Sequence, residues 1–164
     1  MLSRATLKTQ IGSLNLISHD HLLLASGFGS FKELIDKLDA SDLKLGIKEE
    51  KRLPIITDLL EDYFAGDLKA LDGISVRQPG EKFSQSAWKA MRKVAPGKTI
   101  SYGELAKRAG SADAVRAAGS ACARNLIALV VPCHRIVKTG GALGNYAYGL
   151  EVKEWLLAHE GALK

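Results

Sequence analysis

A chain of 164 residues that is 46% hydrophobic can bury a core, as one domain or as two small ones. Its two cysteines, Cys122 and Cys133, are too few for a disulfide framework, and no apolar run reaches the roughly 20 residues that span a bilayer. The formal net charge of +5 is unevenly spread: residues 1–80 carry ten Lys/Arg against twelve Asp/Glu, and residues 81–164 carry thirteen against six, so a polyanionic partner would be met by the second half alone.

The first half opens with alternating runs, "RATLKT", "SLNLIS" and "HLLLASGF", separated by Gly12 and the polar "HDH". They predict β-strands joined by tight turns. "SFKELIDKLDA" predicts a helix, with Ser30 and Glu33 in capping-box spacing and Phe31, Leu34, Ile35 and Leu38 on one face. In "LPIITDLLEDYFAG", Pro54 suits a first helical turn, Gly66 suits a C-terminal cap, and Ile55, Ile56, Leu59, Leu60, Tyr63 and Phe64 form the stripe between them. A short strand around "LDGISV" closes this half. The predicted organisation is an α/β scaffold domain at residues 1–76, a linker at 77–81 around "RQPGE", and a second domain at 82–164.

The second half reads as mainly helical. "FSQSAWKAMRKV" repeats apolar residues at Phe83, Ala87, Met91 and Val94 and stops at "APGK". "SYGELAKRAG" carries a second capping box, Ser101 with Glu104, and "ADAVRAAGSACARN" follows closely enough to suggest a helix-turn-helix. An apolar run, "LIALVV", is expected to be a strand leading to Cys133. A Gly-rich stretch, "KTGGALGNYAYG", then leads into a last helix, "LEVKEWLLAHE", capped by Gly161. The N-terminal "MLSRATLKTQIGSLNL" lacks a secretory signal's apolar core and cleavage site. The expected setting is therefore reducing and intracellular: the cytoplasm of a prokaryote, or the nucleus, with no membrane partner.

Two features invite chemistry. In "VPCHRIV", Cys133 is either a small buried hydrophobe or a nucleophile with its base next door. A thiol attacks only as the thiolate, so it needs a positive or basic neighbour to bring its pKa down from about 8.5. His134 is adjacent, but neighbours in a strand point to opposite faces, so the pair cooperates only if the backbone turns or a water intervenes. Such a histidine also wants an orienting carboxylate, and Glu160 is the most suggestive one in this half. The other feature is a helix of small residues (Ala112, Ala114, Ala117, Ala118, Gly119, Ser120, Ala121, Ala123) on which Arg116 stands out as the long side chain; it is a plain, closely packed helix or one thin enough to press into a DNA groove.

Taken together, "PCHRIV", "SYGELA", "AVRAAGSACARN" and "GNYAYGLEVKEWLLAHEG" resemble, in order and spacing, the O6-alkylguanine-DNA alkyltransferase family (methylated-DNA–protein-cysteine methyltransferases), over residues 83–161. The resemblance implies an α+β fold: a small antiparallel β-sheet with helices at the N-terminus, then a mostly helical, winged-helix-like domain carrying the active-site cysteine. It implies DNA repair by irreversible, single-turnover transfer of the alkyl group to Cys133, mainly from O6-methylguanine, with O4-methylthymine an open alternative. His134 would generate the thiolate through a water, Glu160 would complete the relay, and Asn125 would hold the turn between the DNA-binding helix and the active-site segment. Arg116 would enter the base stack in place of the extruded base, and Tyr102 would press on the backbone and contact the flipped guanine. The carbonyls of Cys133 and Ile136, with the backbone at Tyr146 and Ala147, would line the guanine pocket. The implied partner is double-stranded DNA containing O6-alkylguanine, bound in the minor groove with little sequence preference by a monomer, since a base must leave the stack before it can be attacked.

The sequence also departs from the family pattern. Where relatives commonly have prolines after the asparagine, this chain runs "NLIALVVP", which removes rigidity from the coupling segment. Tyr148 stands where many relatives carry glycine, a bulky rim that disfavours large adducts and still admits methyl. No cysteine precedes Cys122, and His19 with His21 makes a poor metal site, so no zinc and no cofactor are expected. The competing readings are a damage sensor without transfer, a winged-helix regulator and a cysteine hydrolase. Retention of Cys133, His134 and Glu160 argues against the first, the absence of an obvious dimerisation helix against the second, and the basic helix-turn-helix half against the third.

Overall fold

The computed structural model describes residues 1–163. It divides into two compact units: residues 1–79 together with 126–130, and the rest of the chain.

The first unit is built on a meander. Strands β1 (Leu2–Thr9), β2 (Gly12–His19) and β3 (Leu22–Gly27) pair antiparallel, with Ala5 opposite Leu16 and Leu7 opposite Leu14. Leu2, Leu14, Leu16, Leu23 and Ala25 are buried on it. Helices α1 (Phe31–Ile35) and α2 (Ala40–Leu43) lead to β4 (Ile47–Glu49), and α3 (Ile56–Phe64) leads to β5 (Ser75–Val76). The sheet order is β4-β1-β2-β3-β5, with β4 parallel to β1 and β5 parallel to β3. The sheet is therefore mixed, where the sequence suggests an antiparallel one. The helical crossovers ahead of β4 and β5 are long enough to return the chain in its original direction, which no hairpin can do.

Ser30 caps α1, its hydroxyl accepting from the Glu33 N–H at 3.2 Å. The helix predicted across "SFKELIDKLDA" nonetheless ends at Ile35. Asp39 adopts an extended backbone and accepts from the Ser41 N–H, so its side chain starts a new helix instead of continuing the old one. Pro54 likewise lies outside α3: the Ile56 N–H donates to the Pro54 carbonyl at 2.8 Å across Ile55, whose φ is 70°, and the helix begins after that tight turn.

The apolar run after Asn125 is not the predicted strand. Ile127 makes a single parallel bridge to Ser26, on the edge of β3 beyond the point where the two-residue β5 ends. The Ser26 N–H donates to the Leu126 carbonyl, the Ala128 N–H to the Ser26 carbonyl, and the Ser26 hydroxyl to the Ala128 carbonyl at 2.7 Å. Gln78 Oε1 accepts from the Leu126 N–H. The chain then turns through Leu129, at φ 73°. All five residues from Leu126 to Val130 are buried, so the run is apolar because it is core, not because it extends a ladder.

In the second unit, α4 (Lys82–Arg92), α5 (Tyr102–Arg108), α6 (Val115–Arg124) and α7 (Leu150–His159) bury Ala87, Met91, Leu105, Ala118, Ala121, Leu156 and Leu157. The Trp88 indole N–H donates to the Ala121 carbonyl at 2.9 Å and ties α4 to α6. Gly80 lies so close under that indole that a Cβ would come within 2.5 Å of the ring. The short strands β6 (Ile100–Ser101) and β7 (Ile136–Val137) pair in parallel, with Ser101 opposite Val137. That ladder fixes the start of α5 beside the segment that follows Cys133. Among the described residues, no helix is long and apolar enough to cross a membrane.

Candidate active site

Pro132 turns the chain. Its backbone lies at φ −84°, ψ 68°, and the Cys133 N–H donates to the Val131 carbonyl at 2.9 Å. A single 3₁₀ turn, Cys133–Arg135, then runs directly into β7. The turn resolves the geometric objection to Cys-His adjacency, because successive residues on it point to different sides without the strict opposition of a strand. Cys133 is half-buried and lines an open cavity, while His134 is fully buried behind it. Asn125, the residue after α6, donates its side-chain amide to the Val131 carbonyl at 2.8 Å and so holds the entry to this turn.

Behind the cavity lies a buried charged group. His134 Nε2 is 2.9 Å from Glu160 Oε2. Arg135 grips the same carboxylate with Nε at 2.9 Å and Nη2 at 3.0 Å, and donates Nη1 to the Val94 carbonyl at 2.7 Å. Burial pushes the Glu160 carboxyl up, but hydrogen bonds from His134 and Arg135 and the arginine's charge overcome it and hold the carboxyl well below the usual carboxylate range. Burial dominates for His134 and lowers its pKa against the pull of Glu160, which favours the neutral ring. A neutral ring facing a carboxylate with Nε2 carries its proton there, which leaves Nδ1 as a bare acceptor. Nδ1 is buried and has no hydrogen-bond partner among the described residues. Burial raises the Cys133 thiol, while the Asn125 side chain and the charge of Lys153 pull it down.

The cavity, of about 810 Å³, is lined by α6 on one side and by the loop before α7 on the other. Five of the expected residues line it: Tyr102, Arg116, Cys133, Tyr146 and Ala147. His134 and Glu160 lie behind it, and neither Asn125 nor Ile136 lines it. The small residues of α6 have two uses: Ala118 and Ala121 are buried, while Gly119, Ser120 and Ala123 leave the cavity side low and open. Arg116 is exposed at the first turn of α6, and no described carboxylate pairs with it. Tyr146 meets His134 edge-on at 6.5 Å between ring centres and Tyr148 at 5.9 Å. Cys122 also faces the cavity, its thiol pushed up by burial.

Two residues of this site escape the sequence reading. Arg135 is the basic residue after Cys-His and gives no other signal. Lys153 is fully buried and donates Nζ to the carbonyls of Ile136 at 2.7 Å and Asn145 at 3.2 Å. A signal for Lys153 exists: with Leu156, Leu157 and Glu160 it falls on the buried face of the last helix, where a lysine without a partner would be costly.

Comparison with known proteins agrees with this geometry. The family profile described as "6-O-methylguanine DNA methyltransferase, DNA binding domain" matches residues 82–162. A methylated-DNA–protein-cysteine methyltransferase from Methanosarcina acetivorans is 37% identical over 158 residues, covering 96% of this chain and 97% of the relative. One from Salmonella typhimurium is 44% identical over 108 residues; the match takes in 66% of this chain and spans 63% of the relative's length. The crystal structure of Mycobacterium tuberculosis OGT in complex with DNA superposes with a TM-score of 0.79 at 30% identity, covering 98% of this chain and 93% of that one. With a cysteine lining the cavity and a buried histidine-carboxylate pair behind it, and with kinship of 37% identity over 96% of its length, the chain belongs to the methylated-DNA–protein-cysteine methyltransferase family.

Proposed function

We propose that the chain repairs DNA by moving the alkyl group of an O6-alkylguanine, chiefly methyl, onto Sγ of Cys133, once per molecule. The observation that carries this reading is the unpartnered Nδ1 of buried His134, whose other nitrogen is fixed by Glu160. A water between Nδ1 and the thiol takes the Cys133 proton to His134 as the thiolate forms. The thiolate attacks the alkyl carbon, the S–C bond forms as the C–O6 bond breaks, and guanine leaves with the bonding pair. The proton that left Cys133 balances the one the released guanine takes up. A thioether is not cleaved by mild steps, so the protein is consumed.

The lesion reaches Cys133 only if its base leaves the duplex, at a cost of a few kcal/mol. Arg116, exposed and unpaired at the start of α6, suits the role of filling the gap in the stack, and the low surface of that helix suits a narrow minor groove. Tyr102, Tyr146 and Ala147 then form the walls that receive the flipped guanine, in a cavity of ordinary ligand-site size. On this reading residues 82–164 act as a winged-helix-like, monomeric DNA-binding and transfer part, joined by 77–81 to a scaffold at 1–76. Intact-protein and peptide mass spectrometry, after incubation with a duplex holding one O6-methylguanine, tests the proposal. One methyl on the Cys133 peptide, absent in Cys133→Ala, is expected; a duplex that is bound while Cys133 stays unmodified refutes transfer.

A further inference from the structure

Lys153 is a fully buried lysine that has no paired carboxylate among the described residues, on the helix that Glu160 caps. A lysine in such a position needs a reason, because taking an ammonium out of water is costly unless its donors are met. Here they are met by backbone alone. Nζ donates to the carbonyl of Ile136, three residues beyond the nucleophile on β7, and to the carbonyl of Asn145, in the loop that lines the cavity. One ammonium thus fixes the strand leaving Cys133 and the opposite cavity wall.

Asn145 is held from the other side as well. Its backbone hydrogen-bonds the Tyr102 hydroxyl, and Gly144 before it lies so close under that ring that a Cβ would come within 3.0 Å of the hydroxyl oxygen. Tyr102 and Lys153 therefore share one loop residue, but only Lys153 brings charge. The groups near Cys133 are Tyr102 from α5, Arg116 and Cys122 from α6, Lys138 and Tyr146 at the cavity wall, His134 and Arg135 from its own turn, and Glu160 from α7; Arg116 and Lys138 are exposed, so their charges are screened by water. Arg135 is spent on Glu160, His134 is neutral, and the charge of Lys153 acts on both cavity thiols.

We propose that Lys153 is a positioning residue with two tasks: it ties the Ile136 carbonyl, on the strand that leaves Cys133, to the Asn145 carbonyl in the cavity loop, and it is the buried cation that favours the Cys133 thiolate. The inference rests on the reading of Cys133 as the acceptor, and its test separates the two ideas. The reaction of Cys133 with iodoacetamide, followed on its own peptide by mass spectrometry across pH, reports thiolate formation without DNA. Methyl transfer from an O6-methylguanine duplex is measured in parallel.

In Lys153→Met the midpoint of Cys133 reactivity should rise by about one pH unit, with transfer slowed about tenfold or more at neutral pH. Lys153→Arg keeps the charge and should return the midpoint most of the way, even where its bulk slows transfer. Tyr102→Phe removes the other hold on Asn145 and should slow transfer without moving the midpoint. A Lys153→Met profile that superimposes on the parent's overturns the proposal, whatever happens to transfer. If Lys153→Met does not fold, judged by circular dichroism, the decision passes to Lys153→Gln and Lys153→Arg: a midpoint equally displaced in both refutes the role of charge. Absence of transfer in the parent would remove the repair reading and leave the iodoacetamide comparison intact.

Discussion

Arg77 and Arg135 each grip a carboxylate with a forked guanidinium, one in each unit, and the surroundings of the two pairs differ. Arg77 meets Asp42 at 3.0 and 3.1 Å with its side chain 45% exposed, and it holds the residue after β5 against α2. Arg135 meets Glu160 where the arginine side chain is 5% exposed and the carboxylate 0%. The Asp42 side chain is itself only 10% exposed, so it is the half-open arginine that lightens the first pair; a pair with both members in the interior is costly to assemble and damaging to break. In the proposed mechanism Glu160 has another duty. Arg135 keeps it ionised so that it can hold His134 in the tautomer with a free Nδ1.

The contrast can be broken most severely at Glu160. Glu160→Ala strands both His134 and Arg135 in the interior and should cost about 3–5 kcal/mol in urea unfolding, with transfer slowed about a hundredfold or more. Replacing Arg135 and Glu160 together by methionine should bring stability back to within about 2 kcal/mol of the parent while transfer stays lost, which separates the pair's structural cost from its use. Acid sharpens the same point. The folded pKa values of Glu160 and His134 both lie below their ordinary ones, so the unfolded chain binds more protons and stability falls as pH falls. The loss should begin below about 6.5 from His134 and steepen below about 4.5 from Glu160, and Glu160→Gln should flatten the lower part of the curve. Gly144→Ala, at φ 75° and against Tyr102, should cost about 1 kcal/mol and slow transfer by displacing the loop. Arg77→Met leaves the largely buried Asp42 carboxylate without its guanidinium and should cost about 1–2 kcal/mol in the same unfolding measurement, with the rate of transfer unchanged.

Local signals in the sequence are legible where one residue decides the geometry. Ser30 and Ser101 cap the helices their spacing announces, and the Ser101 hydroxyl accepts from the Glu104 N–H at 3.0 Å. The alternating runs of the first thirty residues become β1, β2 and β3. The failures share a cause, since each depends on a partner distant in sequence. "LIALVV" looks like a strand because it is apolar, but whether it extends a ladder depends on how much of the β3 edge β5 leaves open. The direction of β4 and β5 depends on crossovers rather than on the strands themselves. Cys133, His134, Glu160 and Asn125 come from the resemblance, and the structure places them around one turn. Arg135 and Lys153 were not, because an arginine or lysine reads as solvated until its buried acceptors are seen.

The segment from Leu126 to Val130 has a consequence for synthesis. Ser26 finds its hydroxyl acceptor 102 residues later, at Ala128. As the chain emerges from a ribosome, the sheet can form its meander early, yet it lacks five buried residues until residue 130 has emerged. By then α4, α5 and α6 have already emerged. Contacts of such long sequence separation form late and slowly. The nucleophile follows Val130 by only three residues, so the sheet receives its last apolar segment just before the reactive thiol leaves the ribosome.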